Sequence, residues 1–330
     1  MQGAITPVIS IKLALQGGGA HGAFTWGALD RVLQVPGIAI EAISGTSSGA
    51  MNAAALAQGW AHGGAQGARE SLQAFWQALS RYNAVPDWWA VAGRLASGYW
   101  PTAALPAPMA ANPLAPLVED FFELDTLRHG PVQLHVAATR VRDGALTLFD
   151  RHRLSHDMLL ASACLPQWFP AVTIDGESYW DGGFAGNPVL EPLLGEGSDD
   201  LLCILLQPLN DASIPQQAVE IAERSAQLAF SAAFKRELRE LAIACRQHGE
   251  RWWPLRTERS MKRLRLHMIS PTDTLTRRTG HSAADTRLHQ LRALHDLGYR
   301  VAERWLQQHD QPLGRHASFS LQEWFSDTHG

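Results

Sequence analysis

Apolar positions along this chain switch between a strand-like and a helix-like period. VISIKLALQ (8–16) is a mostly apolar run that ends in glycines, as a buried strand does. Residues 22–34 carry helical spacing, IAIEAIS (38–44) is a second short apolar run, and residues 48–58 and 68–81 are helical again. VQLHVAATR (132–140) and ALTLF (145–149) read as strands joined by a tight turn at Asp143-Gly144. DDLLCILLQP (199–208) is a buried-strand candidate, RLRLHMIS (263–270) alternates polar and apolar residues, and long helical patterns fill 215–248 and 283–308. Strands separated by helices predict an α/β fold of three layers, α/β/α, with a mainly parallel central sheet covered on both faces.

Two stretches break the pattern. Residues 99–116, YWPTAALPAPMAANPLAP, cannot be a continuous helix, because each interior proline removes a hydrogen bond and clashes with the preceding turn. They read as a surface loop or, since DWWAVAGRLASGYW (87–100) before them is heavily aromatic, as a wall or lid over a site. The polar tail from Asp310 onward reads as a loose end, with LQEWF against the body. No internal repeat or charged linker divides the chain. The expected organisation is one domain over 1–310, with motifs in 8–210 and helices in 211–310, then a tail over 311–330.

Composition narrows the class. The 330 residues are 46% hydrophobic and 18% charged, ordinary for a globular chain with a sizeable core. A formal net charge of −4 gives no general pull towards nucleic acid. Cys164, Cys203 and Cys245 are odd in number and lack metal-ligand spacing, which predicts free thiols in a reducing compartment. The N-terminus has no basic head, Lys12 interrupts its apolar run, and no later segment reaches the ~18 uncharged apolar residues of a membrane span. The expectation is a cytoplasmic protein that at most visits a membrane surface.

The candidate chemistry lies in three glycine-framed stretches. In ISGTSSGAMNAA (43–54), Ser47 sits between Gly45 and Gly49, after an apolar run and before a helical one. That is the nucleophile-elbow pattern: a tight strand-to-helix turn in which glycines avoid clashes and the helix N-terminus faces the serine oxygen. In LALQGGGAHGAF (13–24), Gly17, Gly18 and Gly19 leave backbone N–H groups open to an anion. Gly17-x-Gly19-x-x-Gly22 also matches a dinucleotide-binding pattern, for which Glu41 is the acidic candidate. The competing reading is an oxyanion hole beside Ser47. In DGESYWDGGFAGNPVLEPLL (175–194), Asp181 precedes Gly182 and Gly183 and is either a turn aspartate or a site residue. The histidines that follow lie mostly in helical, arginine-rich surroundings, and none has the glycine-framed context that would hold an imidazole at a site.

Taken in order, these blocks resemble those of patatin-like phospholipases. QGGGAHGAFTWGAL (16–29) resembles the family's glycine-rich block and ISGTSSGAMNA (43–53) its nucleophile block. ASACLPQWFPAV (161–172) resembles its proline-containing block, and YWDGGFAGNPV (179–189) its Asp-Gly-Gly block. The resemblance spans residues 8–210 and implies a patatin-like fold and a Ser47–Asp181 dyad working through an acyl-enzyme. It also implies an oxyanion hole from Gly17, Gly18 and Gly19 with Ser48. Asp181, rather than a histidine, would take the serine proton. The implied substrates are acyl esters of phospholipids, lysophospholipids or neutral lipids, or storage polyesters such as polyhydroxyalkanoates. A non-catalytic nucleotide-binding protein stands as the other class.

No cofactor is expected, no metal, and no carboxylate cluster suggests a need for calcium. His21 stands where the family often has arginine or lysine, and is either an anion contact or structural. Trp168, Phe169 and the tryptophans at 88, 89 and 100 are candidates for an acyl pocket. RWWPLRTERSMKRLR (251–265) is a candidate lipid-headgroup contact or a solvated face.

Overall fold

The computed structural model describes residues 8–82, 112–166, 168–195, 197–212, 214–248, 263–272, 275, 283 and 285–329. The elements in chain order are β1 (Ile9–Leu15), α1 (Gly22–Val32), β2 (Ile38–Thr46), α2 (Ser48–Tyr82), α3 (Ala115–Phe121) and α4 (Leu124–His129). Then come β3 (Gln133–Arg140), β4 (Leu146–Asp150), α5 (His156–Ser162), β5 (Val172–Ile174), β6 (Glu177–Asp181) and β7 (Asp200–Ile204). The last are α6 (Ala218–His248), β8 (Arg265–Ile269), α7 (Leu288–Gln308) and α8 (Leu321–His329). The tryptophans at 88, 89 and 100, most of the proline-rich stretch and residues 251–262 of the basic stretch lie outside the described residues.

The sheet is mixed and mostly parallel. Strands β3, β2, β1, β7 and β8 pair in parallel in that order. Both faces are buried, which explains why β1 reads as a nearly continuous apolar run. Ile11, Leu13 and Leu15 point into a core with α1, α2 and α7, whereas Ala14 joins Leu201 and Cys203 against α6 and α8. The two helical patterns after Ser47 form one element interrupted by non-helical Gly63 and Gly64.

Three antiparallel strands complete the sheet, and two were not anticipated. β4 pairs with β3 across the Asp143-Gly144 turn, as the sequence predicts. β5 and β6 form a further hairpin, turned by Asp175 and Gly176, both at positive φ. That is the Asp-Gly signature of a two-residue hairpin. β6 then pairs with β3 at Ala138 to Arg140, while β2 pairs with β3 at Gln133 to Ala137. β4 spans both sets of β3 residues, so it holds one edge and β2 and β6 share the other. The two strands meet end to end: Thr46 lies opposite Ala137 and Asp181 opposite Ala138.

The tail is not a loose end. Asp200 and His267 are buried on neighbouring strands, 2.9 Å apart, and buried charged groups need partners. The tail supplies two of them. The Gly314 N–H donates to Asp200 at 3.0 Å, and Ser318 Oγ lies 3.2 Å from His267 Nδ1. The Phe319 N–H reaches the Leu266 carbonyl at 3.1 Å. Burial opposes ionisation of Asp200, but His267, Arg265 and the Gly314 N–H together hold its carboxyl well below the usual range.

Candidate active site

Ser47 stands at the junction of β2 and α2 with φ 54°, in the left-handed region. That conformation costs a non-glycine residue about 1–2 kcal/mol. The surroundings enforce it. A Cβ on Gly45 would come 2.5 Å from the Gly49 carbonyl, and one on Gly49 would come 2.2 Å from the Leu15 carbonyl. These glycines are therefore required for close backbone approach. α2 starts at Ser48, so its free N–H groups and positive end face the serine.

Asp181 reaches the serine because β6 takes over the edge of β3 where β2 stops. It is 1% exposed. The Gly183 N–H donates to its Oδ1 at 2.7 Å, and the Ser47 hydroxyl lies near enough to its carboxyl to favour the charged form. Burial pushes its pKa up to about 6, against the opposing pull of the Gly183 N–H and the Ser47 hydroxyl. The Gly182-Gly183 turn is tight on both sides: a Cβ on Gly182 would meet the Ala137 carbonyl at 2.3 Å, and Gly183 lies against Phe230 of α6. Among the described residues no histidine hydrogen-bonds to Ser47 or Asp181.

The glycine loop lies beside the elbow, as both turns leave the carboxyl edge of neighbouring strands. A Cβ on Gly17 would stand 2.6 Å from that of Ser47. The candidate donors are not equivalent. The Gly17 N–H is taken by Asn187 Oδ1 at 2.6 Å, so Gly17 braces the loop rather than facing a ligand. The Gly18 N–H donates to Ser48 Oγ at 3.0 Å. The N–H groups of Gly19 and Ser48 have no hydrogen-bond partner among the described residues. Gly19 has φ 59°, and a Cβ there would strike the Ala283 carbonyl at 2.4 Å. His21 is half-buried in the one-turn helix that follows, its N–H 3.2 Å from the Gly18 carbonyl.

The two aromatic candidates follow the stretch of chain that ends α5. Phe169 is buried and Trp168 half-buried in the turn between α5 and β5, both folding back on the Leu165 carbonyl. Neither lines the groove of about 420 Å³ between α6 and the loop after Asp181, whose walls include Leu146, Val189, Leu194 and Glu237. Glu41, the acid of the dinucleotide reading, accepts from Ser10 and from the Ser198 N–H before β7. It therefore serves the opposite edge of the sheet from the glycine loop.

Several residues that shape the site carried no signal in the sequence. Asn187 clamps Gly17 through both amide atoms, accepting its N–H and donating to its carbonyl at 3.2 Å. Thr46 Oγ1 donates to the Gly186 carbonyl at 2.9 Å, and Ser44 donates to that of Val189. From α6, Glu237 accepts the N–H groups of Leu190 and Glu191 at 3.0 and 2.6 Å. Burial pushes its pKa up to about 7. Nothing local marks Glu237, about fifty positions beyond Asn187.

Helices on both faces of a mostly parallel sheet, with a serine elbow and a buried aspartate at its carboxyl edge, form the patatin-like α/β/α arrangement. The chain belongs to the patatin-like phospholipase family, whose model matches residues 13–194, more than half of its length. Membership implies lipid acyl hydrolase activity. Among solved structures it is similar to VipD from Legionella pneumophila, at 15% identity and TM-score 0.43, over 92% of this chain and 68% of that one. Comparison with curated protein sequences gave no match. No helix of the described residues is long and apolar enough to cross a membrane.

Proposed function

We propose that this protein is a cytoplasmic serine acyl-ester hydrolase in which Ser47 and Asp181 act as a dyad on lipid esters met at a membrane or droplet surface. The observation that carries this reading is the serine elbow set beside a buried aspartate, where β2 and β6 meet end to end on β3; burial pushes the pKa of that aspartate up to about 6. Ser47 Oγ attacks the ester carbonyl carbon and its proton passes to Asp181. The oxyanion accepts from Gly19 and Ser48 N–H groups, joined by Gly18 when the Ser48 hydroxyl turns away. Each such donor is worth about 3 kcal/mol. Asp181 passes the proton to the leaving alcohol. Water then attacks the acyl-enzyme, giving one proton to Asp181, which returns it to Ser47 Oγ as the acid departs. A carboxylate titrating near 6 is roughly a hundredfold stronger as a base than an ordinary aspartate, which supports this role.

The test is hydrolysis of p-nitrophenyl esters of increasing chain length by wild type, Ser47→Ala and Asp181→Ala. Activity that peaks at long chains and disappears in both variants is the expected result. Activity confined to short chains would keep the dyad and assign a non-lipid ester, such as a polyhydroxyalkanoate. Undiminished activity in Asp181→Ala would overturn the dyad.

A further inference from the structure

The carboxylate and the hydroxyl of the proposed dyad belong to segments 134 positions apart, yet one short stretch holds the backbone of both. Ser162 ends α5 and is fully buried. Its Oγ accepts the Ser47 N–H at 2.9 Å. Two residues on, the Cys164 carbonyl accepts the Asp181 N–H at 2.8 Å. The Ser47 N–H needs this partner for a structural reason. The β2–β3 ladder ends at Thr46, and at φ 54° the Ser47 N–H turns away from both strand and helix. The Cys164 thiol is tied down in turn by the Pro170 carbonyl at 3.1 Å, so the stretch is itself fixed.

We propose that Ser162 is a positioning residue: with the Cys164 carbonyl it fixes the register of Ser47 against Asp181, and it touches no substrate. The inference rests on the acyl-hydrolase reading above. A misplacement of the nucleophile by a fraction of an ångström weakens proton transfer and attack but not substrate binding. The effect therefore falls on kcat rather than KM.

The experiment compares wild type with Ser162→Ala, Ser162→Cys and Ser162→Thr. Cysteine keeps the shape but is a weak acceptor, whereas threonine keeps the oxygen. The readouts are kcat and KM on the best p-nitrophenyl ester, and the rate of covalent labelling of Ser47 by a fluorophosphonate. The expected result is a fall of about 10–100-fold in kcat and labelling rate for alanine and cysteine, with KM within about twofold, and recovery with threonine. Where alanine or threonine fails to fold, the near-isosteric cysteine variant decides alone. Wild-type kcat and labelling in the folded cysteine variant would overturn the proposal. So would losses that track melting temperature rather than the presence of an oxygen. Ser47→Ala serves as the separate control: if it stays active, the hydrolase reading fails first, whatever Ser162 does.

Discussion

Replacing Asp181 by asparagine should abolish turnover and stabilise the protein, and the gain should depend on pH. The carboxyl titrates near 3.8 in the unfolded chain and near 6 in the fold, where burial outweighs the pull of the Gly183 N–H and the Ser47 hydroxyl. Between those values the folded state holds the proton and the unfolded state has lost it. Stability therefore falls as pH rises through this window and stays low above it. A shift of roughly two units corresponds to about 3 kcal/mol, since each unit is worth 1.36 kcal/mol. Asparagine carries no such charge. Its amide oxygen can still accept the Gly183 N–H, and its NH₂ can donate to Ser47 Oγ.

The variant should thus match wild type near pH 4 and exceed it by up to about 3 kcal/mol at pH 8. With an unfolding entropy of roughly 0.7 kcal/mol/K for 330 residues, that is about 4 °C in melting temperature. Thermal melts of both proteins across pH 4 to 8 measure it. A gain that is the same at every pH, or a variant less stable at pH 8, would refute the reasoning. The matching activity prediction is that wild-type kcat/KM rises about tenfold per unit below pH 6 and levels off above, because only the ionised carboxylate accepts the serine proton.

Ser47→Gly should relieve the left-handed strain, raising stability by about 1 kcal/mol in chemical denaturation while ending turnover; a destabilised variant would mean that the elbow is not strained. Gly49→Ala should cost about 3 kcal/mol or prevent folding, since its Cβ would strike the Leu15 carbonyl; soluble expression and melting temperature report this. Glu237→Ala strands the N–H groups of Leu190 and Glu191 and should cost about 2 kcal/mol and slow turnover. Because burial raises the Glu237 pKa to about 7, wild-type stability should also fall as pH rises through neutrality, and Glu237→Gln should flatten that slope in melts from pH 5 to 9. His267→Ala leaves Asp200 buried without one partner and should cost about 3 kcal/mol, with the activity of the folded fraction unchanged, as measured by titrating active sites after purification.

Much of the local order was legible because it depends on neighbours in sequence. Apolar runs gave the parallel strands, glycines marked the elbow, and Asp143-Gly144 predicted its hairpin. The Asp175-Gly176 hairpin carried the same signature but was hidden beside the Asp-Gly-Gly turn. The polar tail misled because its partners, Asp200 and His267, lie on strands far away in sequence and become buried only when the sheet forms.

What the sequence determined by itself was the tight turn at the serine. Gly45 and Gly49 permit a backbone approach that no Cβ would allow, and that constraint is local. What only the tertiary structure decided was the meeting of Ser47 with Asp181. It requires β2 to stop at Thr46 and β6 to continue the same edge of β3 one residue later, with opposite direction. Ser162 at the end of α5 and Cys164 just beyond it hold the backbone of both. Hydrogen-bond register between strands is a property of pairs, and a single run of residues does not encode its own partner. The raised pKa of Asp181 follows from the same cause, because it comes from burial that the assembled sheet and helices impose.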